Sequence, residues 1–160
     1  ELAHSIGMKT TATMMFGTVA TDEEIIEHWE LLRNLQDKTG GFRAFIMWSF
    51  QGDNTLLKAE IPDIKPQSSN RYLRLLAVAR LYLDNFKNMQ SSWVTQGSYV
   101  GQLALKFGAN DLGSTMMEEN VVKAAGASNR MNQEEMIRLI KDIGENPAKR
   151  NTAYEILERF

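Results

Sequence analysis

Cysteine is absent from the chain. Disulfides are therefore excluded, and so is any thiolate-held metal or cluster within these 160 residues. Histidine is nearly absent. The two present, His4 and His28, have no partner at metal-ligand spacing, and both read as structural or surface residues. Neither Gly-x-Gly-x-x-Gly nor a Walker A sequence occurs, which withdraws support from the nucleotide-binding forms of an open α/β sheet. No apolar run is long enough to span a bilayer and no signal-peptide pattern opens the chain, so a cytoplasmic protein without a membrane partner is expected. Charge of one sign is lacking as well. A formal net charge of −2 leaves no electrostatic footprint for nucleic acid or an anionic surface.

What remains is ordinary globular composition, 43% hydrophobic and 24% charged, in a length that suits a single domain over 1–160 with a core of useful size. Residues 1–7 (ELAHSIG) read as the last turns of a helix ended by a glycine, with no cap and no initiator methionine. The chain is expected to begin inside an element, as a truncated protein would.

From there, strand-like runs alternate with helical patterns. Residues 10–17 (TTATMMFG) form the first strand candidate. Thr21-Asp-Glu-Glu24 reads as a capping box, followed by Ile25, Trp29, Leu32 and Leu35 at helical spacing and a stop at Gly40-Gly41. Residues 42–50 (FRAFIMWSF) are apolar almost throughout, as in a parallel strand buried on both faces. A long polar loop with Pro62 and Pro66 follows, to about Ser69, which could cap a helix carrying Tyr72, Leu73, Leu76, Ala79 and Leu83. Residues 89–93 (MQSSW) read as a short strand, 97–107 as a helix ended by Gly108, 110–115 (NDLGST) as a weaker strand and 117–125 as a short helix. Asn132-Gln-Glu-Glu135 is a second capping box. It opens a helix with Met136, Leu139, Ile140 and Ile143 on one face, stopped by Gly144. The tail from Pro147 holds one apolar cluster at 154–157. Alternating β and α units predict an α/β fold with a parallel sheet, either open or half of an eight-fold barrel.

Chemistry in such a fold collects at the C-terminal strand ends. Polar candidates there are Thr18, Ser49, Gln51, Asn54, Ser92 and Gln96, a set able to bind a hydroxylated ligand such as a ribose. Glu118 and Glu119 follow the strand end at Thr115. They read either as functional acids, Glu118 being nearer the strand, or as first-turn acids favoured by the helix dipole. Methionines 14, 15, 47, 116 and 117 fit core filler, and Trp48 and Trp93 fit either ring stacking or simple burial. A polar pocket follows from these features. A reaction does not.

A resemblance adds the reaction. The segments KTTATMMFGTVATDEE (9–24), GGFRAFIMWSFQGDNT (40–55), SSWVTQGSYVGQLALKFGANDLGSTMMEENV (91–121) and KRNTAYEIL (149–157) resemble one group of radical S-adenosylmethionine (SAM) enzymes. That group serves the futalosine route to menaquinone, through cyclic dehypoxanthinyl futalosine synthases and aminofutalosine synthases, and the making of a deazaflavin chromophore. The run GANDLGSTMMEE (108–119) is specific for the group. FIMWSF (45–50) with SSWVTQ (91–96) is most similar to the cyclic dehypoxanthinyl futalosine synthase branch.

The resemblance implies a (β/α)8-type barrel, of which this chain is the C-terminal half, about strands five to eight. It implies that the Cys-x-x-x-Cys-x-x-Cys motif for a 4Fe–4S cluster lies in an N-terminal half that is missing here, so the fragment alone is inactive. In the whole protein the implied cofactors are SAM and the cluster, with an external one-electron donor. The implied substrate is small and nucleoside-like. A 5′-deoxyadenosyl radical takes hydrogen from the ribose 4′ carbon of dehypoxanthine futalosine, and the carbon radical attacks the substrate's aromatic ring to give a spiro-cyclic product. Family barrels carry Gly-x-Ile-x-Gly-x-x-Glu on strand five, near the adenine. The matching positions are Thr13, Met15, Gly17 and Ala20, so only Gly17 is kept and the acid is lost. Thr13, Met15, Gly17 and Thr18 are thus the SAM candidates. Ser49, Gln51, Asn54, Ser92, Gln96, Thr115 and Glu118 are the substrate candidates. The alternatives are an aminofutalosine synthase, a deazaflavin-forming subunit, or a non-catalytic half-barrel that closes its edges by forming a homodimer.

Overall fold

A computed structural model describes residues 1–115, 124 and 129–160. A short helix α1 (Leu2–Ser5) leads through Gly7 into strand β1 (Thr10–Phe16). Helix α2 (Asp22–Thr39) begins at the expected box. Thr21 Oγ1 accepts the Glu24 N–H at 3.3 Å while Glu24 Oε2 accepts the Thr21 N–H at 2.7 Å. It ends at Gly40, whose φ of 54° is the left-handed conformation that closes a helix C-terminus. Strand β2 (Phe42–Ser49) follows.

The loop after β2 is less irregular than its prolines predict. It contains helix α3 (Leu56–Glu60), capped by Thr55, and the Lys58 ammonium donates to the Pro62 carbonyl at 2.6 Å. Helix α4 (Ser69–Tyr82) is capped by Ser68 rather than Ser69, because it is the Ser68 hydroxyl that accepts the Arg71 N–H. Strand β3 is only Met89–Gln90. The expected continuation to Trp93 turns out of the sheet, since the Ser92 N–H donates to the buried Tyr72 hydroxyl at 2.9 Å instead of to a neighbouring strand. Helix α5 (Trp93–Gln96) begins where the expected strand was to end, and the helix expected over 97–107 forms as the shorter α6 (Ser98–Ala104).

The weak strand at 110–115 reduces to a single parallel bridge between Gln90 and Asp111, held by Ser91 N–H to Asp111 O at 2.8 Å. The expected helix at 117–125 lies almost wholly outside the described residues. Helix α7 (Gln133–Asp142) is capped by Asn132 and packs Leu139 and the nearby Met131 onto Trp93. The tail is a hairpin of β4 (Ala148–Arg150) and β5 (Ile156–Arg159), not a loose apolar cluster; Ile156 and Leu157 are exposed.

The architecture is α/β, with β1-β2-β3 parallel and in that order. Parallel register puts paired residues on the same face. Ala12, Met14 and Phe16 therefore share a face with Phe45, Met47 and Met89, and all six are buried in one core with Ile25, Trp29, Tyr72 and Leu76 of the helices. Thr11, Thr13 and Met15 lie on the opposite face and are exposed. No described helix is long and apolar enough to cross a membrane.

His28 tests the packing of α2 against β1. Burial holds its imidazole below the ordinary value, and a hydrogen bond to the Thr13 backbone only partly opposes this. Its Nε2 is buried and has no partner among the described residues. With the folded value below the unfolded one, the unfolded chain binds the proton first, so stability falls as pH drops through about 6.5. Urea midpoints are expected to decline from pH 7.5 to 5.5, and His28→Gln is expected to flatten that decline.

Candidate functional site

The C-terminal ends of the strands meet where β2 runs out. Ser49 closes β2 on the helix-facing side, paired with Phe16, and is only 2% exposed. Its hydroxyl accepts from Gln96 Nε2 at 2.7 Å and from Gln51 Nε2 at 3.1 Å. Three of the expected substrate residues are thus brought together, as a knot that ties β2 to α5. Their hydrogen bonds are directed at one another. Ser92 stands nearby, but its hydroxyl pairs with Thr95 Oγ1 at 2.8 Å.

The other candidates are dispersed. Asn54 is exposed in the left-handed region at φ 61°, and its amide donates to the Ala124 carbonyl at 3.4 Å. Thr115 is exposed. Glu118, with Glu119, Met116 and Met117, lies outside the described residues.

The four residues proposed for SAM separate by strand parity. Thr13 and Met15 stand on the exposed sheet face, next to Ile46 and Trp48 in register. Gly17, at φ 88°, and half-buried Thr18 leave the strand. A Cβ on Gly17 would fall 2.1 Å from Gln67 Cγ, so the Gln67 side chain lies directly over this backbone.

A second polar cluster escaped the sequence reading. Asp111 is 9% exposed at its side chain. Its Oδ1 accepts the Gly113 N–H at 2.9 Å, and its Oδ2 accepts from Arg150 at 2.5 Å and from the Tyr154 hydroxyl at 3.0 Å. The Arg150 guanidinium lies 3.9 Å from the centre of the Tyr154 ring. Burial, and then the Asp111 charge, push the Tyr154 phenol far above its ordinary value, which keeps it a donor. Tyr154 also takes a φ of 66°, a conformation costly for an aromatic residue and held by these contacts.

The cluster seats the hairpin beneath the sheet, where Arg43, at the start of β2, donates to the Thr152 carbonyl at 3.0 Å. A cavity of about 750 Å³ runs between the 111–115 segment, α7 and the hairpin as far as Lys87 and Asn88. It therefore reaches the N-terminal end of β3, away from the Ser49 knot.

Removing Asp111 would leave the Arg150 charge largely buried without its counter-ion. Asp111→Ala is expected to cost about 3 kcal/mol in denaturant unfolding, whereas Thr115→Ala, at an exposed position, is expected to change stability by less than about 0.5 kcal/mol.

The family model described as the CofH/MqnC C-terminal region matches residues 39–159. A cyclic dehypoxanthine futalosine synthase of Streptomyces coelicolor is 49% identical over 98% of this chain and 38% of its own length. One from Halalkalibacterium halodurans is 46% identical over 97% of this chain and 41% of its own length. A 5-amino-6-(D-ribitylamino)uracil–L-tyrosine 4-hydroxyphenyl transferase of Methanococcus maripaludis is 41% identical over 98% of this chain and 44% of its own length. The chain thus spans about two fifths of the length of these relatives. With most of its residues matched by the family model and nearly all of them aligned to these enzymes, the chain belongs to the CofH/MqnC family as its C-terminal region.

Proposed function

We propose that this chain is the C-terminal part of a radical SAM enzyme that cyclises dehypoxanthine futalosine on the way to menaquinone. The observation that carries the reading is the 49% and 46% identity to two cyclic dehypoxanthine futalosine synthases, each over nearly the whole chain, against 41% to the hydroxyphenyl transferase. An aminofutalosine synthase is not favoured by any of these relatives.

SAM on a 4Fe–4S cluster would supply a 5′-deoxyadenosyl radical. This chain has no cysteine, so it offers no thiolate ligand for the cluster. Its own residues fit a binding and shielding role. Thr13 and Met15 present a hydroxyl and a polarizable thioether on the exposed sheet face, beside Ile46 and Trp48. That is a surface suited to a flat nucleoside. Gly17 fits less directly, because Gln67 covers its backbone. Ser49, Gln51 and Gln96 would act by fixing the mouth of the site, the Ser49 hydroxyl and both amide nitrogens already being paired. An external one-electron donor is part of this reading, as is a cytoplasmic setting. The isolated chain would be inactive and would close its unpaired strand edges against a second copy.

The test is an anaerobic assay of the full-length protein, reconstituted with iron and sulfide, with SAM and a reductant. Dehypoxanthine futalosine should yield 5′-deoxyadenosine and a cyclised product in equal amounts. A protein with an intact cluster that forms neither, yet couples tyrosine to 5-amino-6-(D-ribitylamino)uracil, would belong with the transferases instead.

A further inference from the structure

We propose that Gln90 is a substrate-binding residue whose carboxamide recognises two adjacent hydroxyl groups on the sugar of a nucleoside-like ligand. The assignment rests on the functional reading above. It starts from register. Thr13 pairs with Ile46, Ile46 with Gln90, and Gln90 with Asp111, which makes one row across the sheet. The neighbouring row, Ala12, Phe45 and Met89, is buried against the helices. Gln90 therefore points to the opposite face, the one on which Thr13 and Met15 are open.

Gln90 differs chemically from its neighbours in the row. Ile46 is apolar. Asp111 already accepts three hydrogen bonds, and its charge is met by Arg150. No described residue hydrogen-bonds the Gln90 carboxamide, which carries one acceptor oxygen and two N–H donors. A neutral group with both functions side by side matches a vicinal diol, which can donate one hydrogen bond and accept another. It would not hold a phosphate as a guanidinium does. The Thr13 hydroxyl lies two strands away, about 10 Å at ordinary strand spacing, with Ile46 between. The floor thus reads polar, apolar, polar, which is the pattern of a ligand with a sugar at one end.

The carboxamide is also held in place. Gly113, at φ 80°, sits directly against it. A Cβ there would be 2.4 Å from Gln90 Nε2 and 2.8 Å from Cδ. Gly113 in turn is fixed by its N–H to Asp111, and Asp111 by Arg150 and Tyr154 of the hairpin. Asp111 and Gly113 are positioning residues in this scheme, and Gln90 is the group that touches substrate. Preorganisation of this kind is what lets one hydrogen-bonding side chain discriminate between ligands.

The experiment uses the full-length protein and isothermal titration with dehypoxanthine futalosine and its 2- and 3-deoxy sugar analogues, with urea unfolding in parallel. Gln90→Leu is expected to weaken substrate binding about tenfold and to leave the unfolding midpoint within error. At least one deoxy analogue should bind the natural protein about tenfold more weakly than substrate, yet bind Gln90→Leu as well as substrate does. That loss of discrimination is what a merely structural residue would not produce. Gln90→Asn, which keeps the amide but withdraws it by one methylene, should show the same weakening and covers the case in which the leucine variant fails to fold. Binding by both variants within twofold of the natural protein overturns the assignment of Gln90 alone. A natural protein that does not bind dehypoxanthine futalosine overturns the functional reading, and the assignment with it.

Discussion

Register between the parallel strands is the constraint on which the rest of this structure depends. The in-step pairing of Met14 with Met47 and Phe16 with Ser49 divides the strand residues into two sets with different fates. One set builds the core with α2 and α4. The other stands on the opposite face, where Thr11, Thr13 and Met15 are exposed. A one-residue slip between β1 and β2 would move Ala12, Met14 and Phe16 out of register with Phe45 and Met47, and no common core could form. Near the start of the pairing, between Thr10 and Thr11, the register does shift, but the six rungs from Thr11 to Phe16 run in step.

Polar residues then take roles according to the face they inherit. Ser49 inherits the helix side, so its hydroxyl is buried and must be paired, and Gln51 and Gln96 pair it. Tyr72 does the same for the Ser92 N–H from the helix layer. These contacts set where β2 and β3 end and where α5 begins. Asp111 inherits the other face. There the hairpin brings it Arg150 and Tyr154, and the result is a charge that is both buried and compensated. Two polar clusters of similar appearance thus do different work. One ties strands to helices at the C-terminal ends, and the other ties the chain's tail to the sheet from below.

Much of this was legible in the sequence, for local reasons. The Thr21 box, the Gly40 stop and the strand at 42–50 depend on neighbours within a few residues, and each forms nearly where its pattern places it. The strand expected at 89–93 forms but stops at Gln90, because its end is decided by Tyr72, some twenty residues from Ser92, whose hydroxyl captures the Ser92 N–H. Candidate site residues meet the same limit. Polar residues near strand ends could be named, but whether each faces ligand or helix depends on register, and Ser49 falls on the helix side. Gln90 looked like an ordinary strand residue. Asp111 and Arg150 are 39 residues apart in sequence, and nothing local to either announces the pair.

The open face is the unusual feature that a functional account has to meet. Parallel sheets are normally covered on both sides, and here only one side is covered by described helices. Leaving Met15 46% exposed beside Trp48 and Ile46 is unfavourable in water. If the face were simply awaiting more core, its whole central row would be expected to be apolar, as Ala12, Phe45 and Met89 are on the covered side. Instead that row runs Thr13, Ile46, Gln90, Asp111. Burying Thr13 and Gln90 under hydrocarbon would cost more than it returned unless their hydrogen bonds were met. A polar, hydroxylated ligand of the kind proposed for the whole protein would meet them. The composition of this row therefore favours a face that closes around substrate over one that closes around more protein.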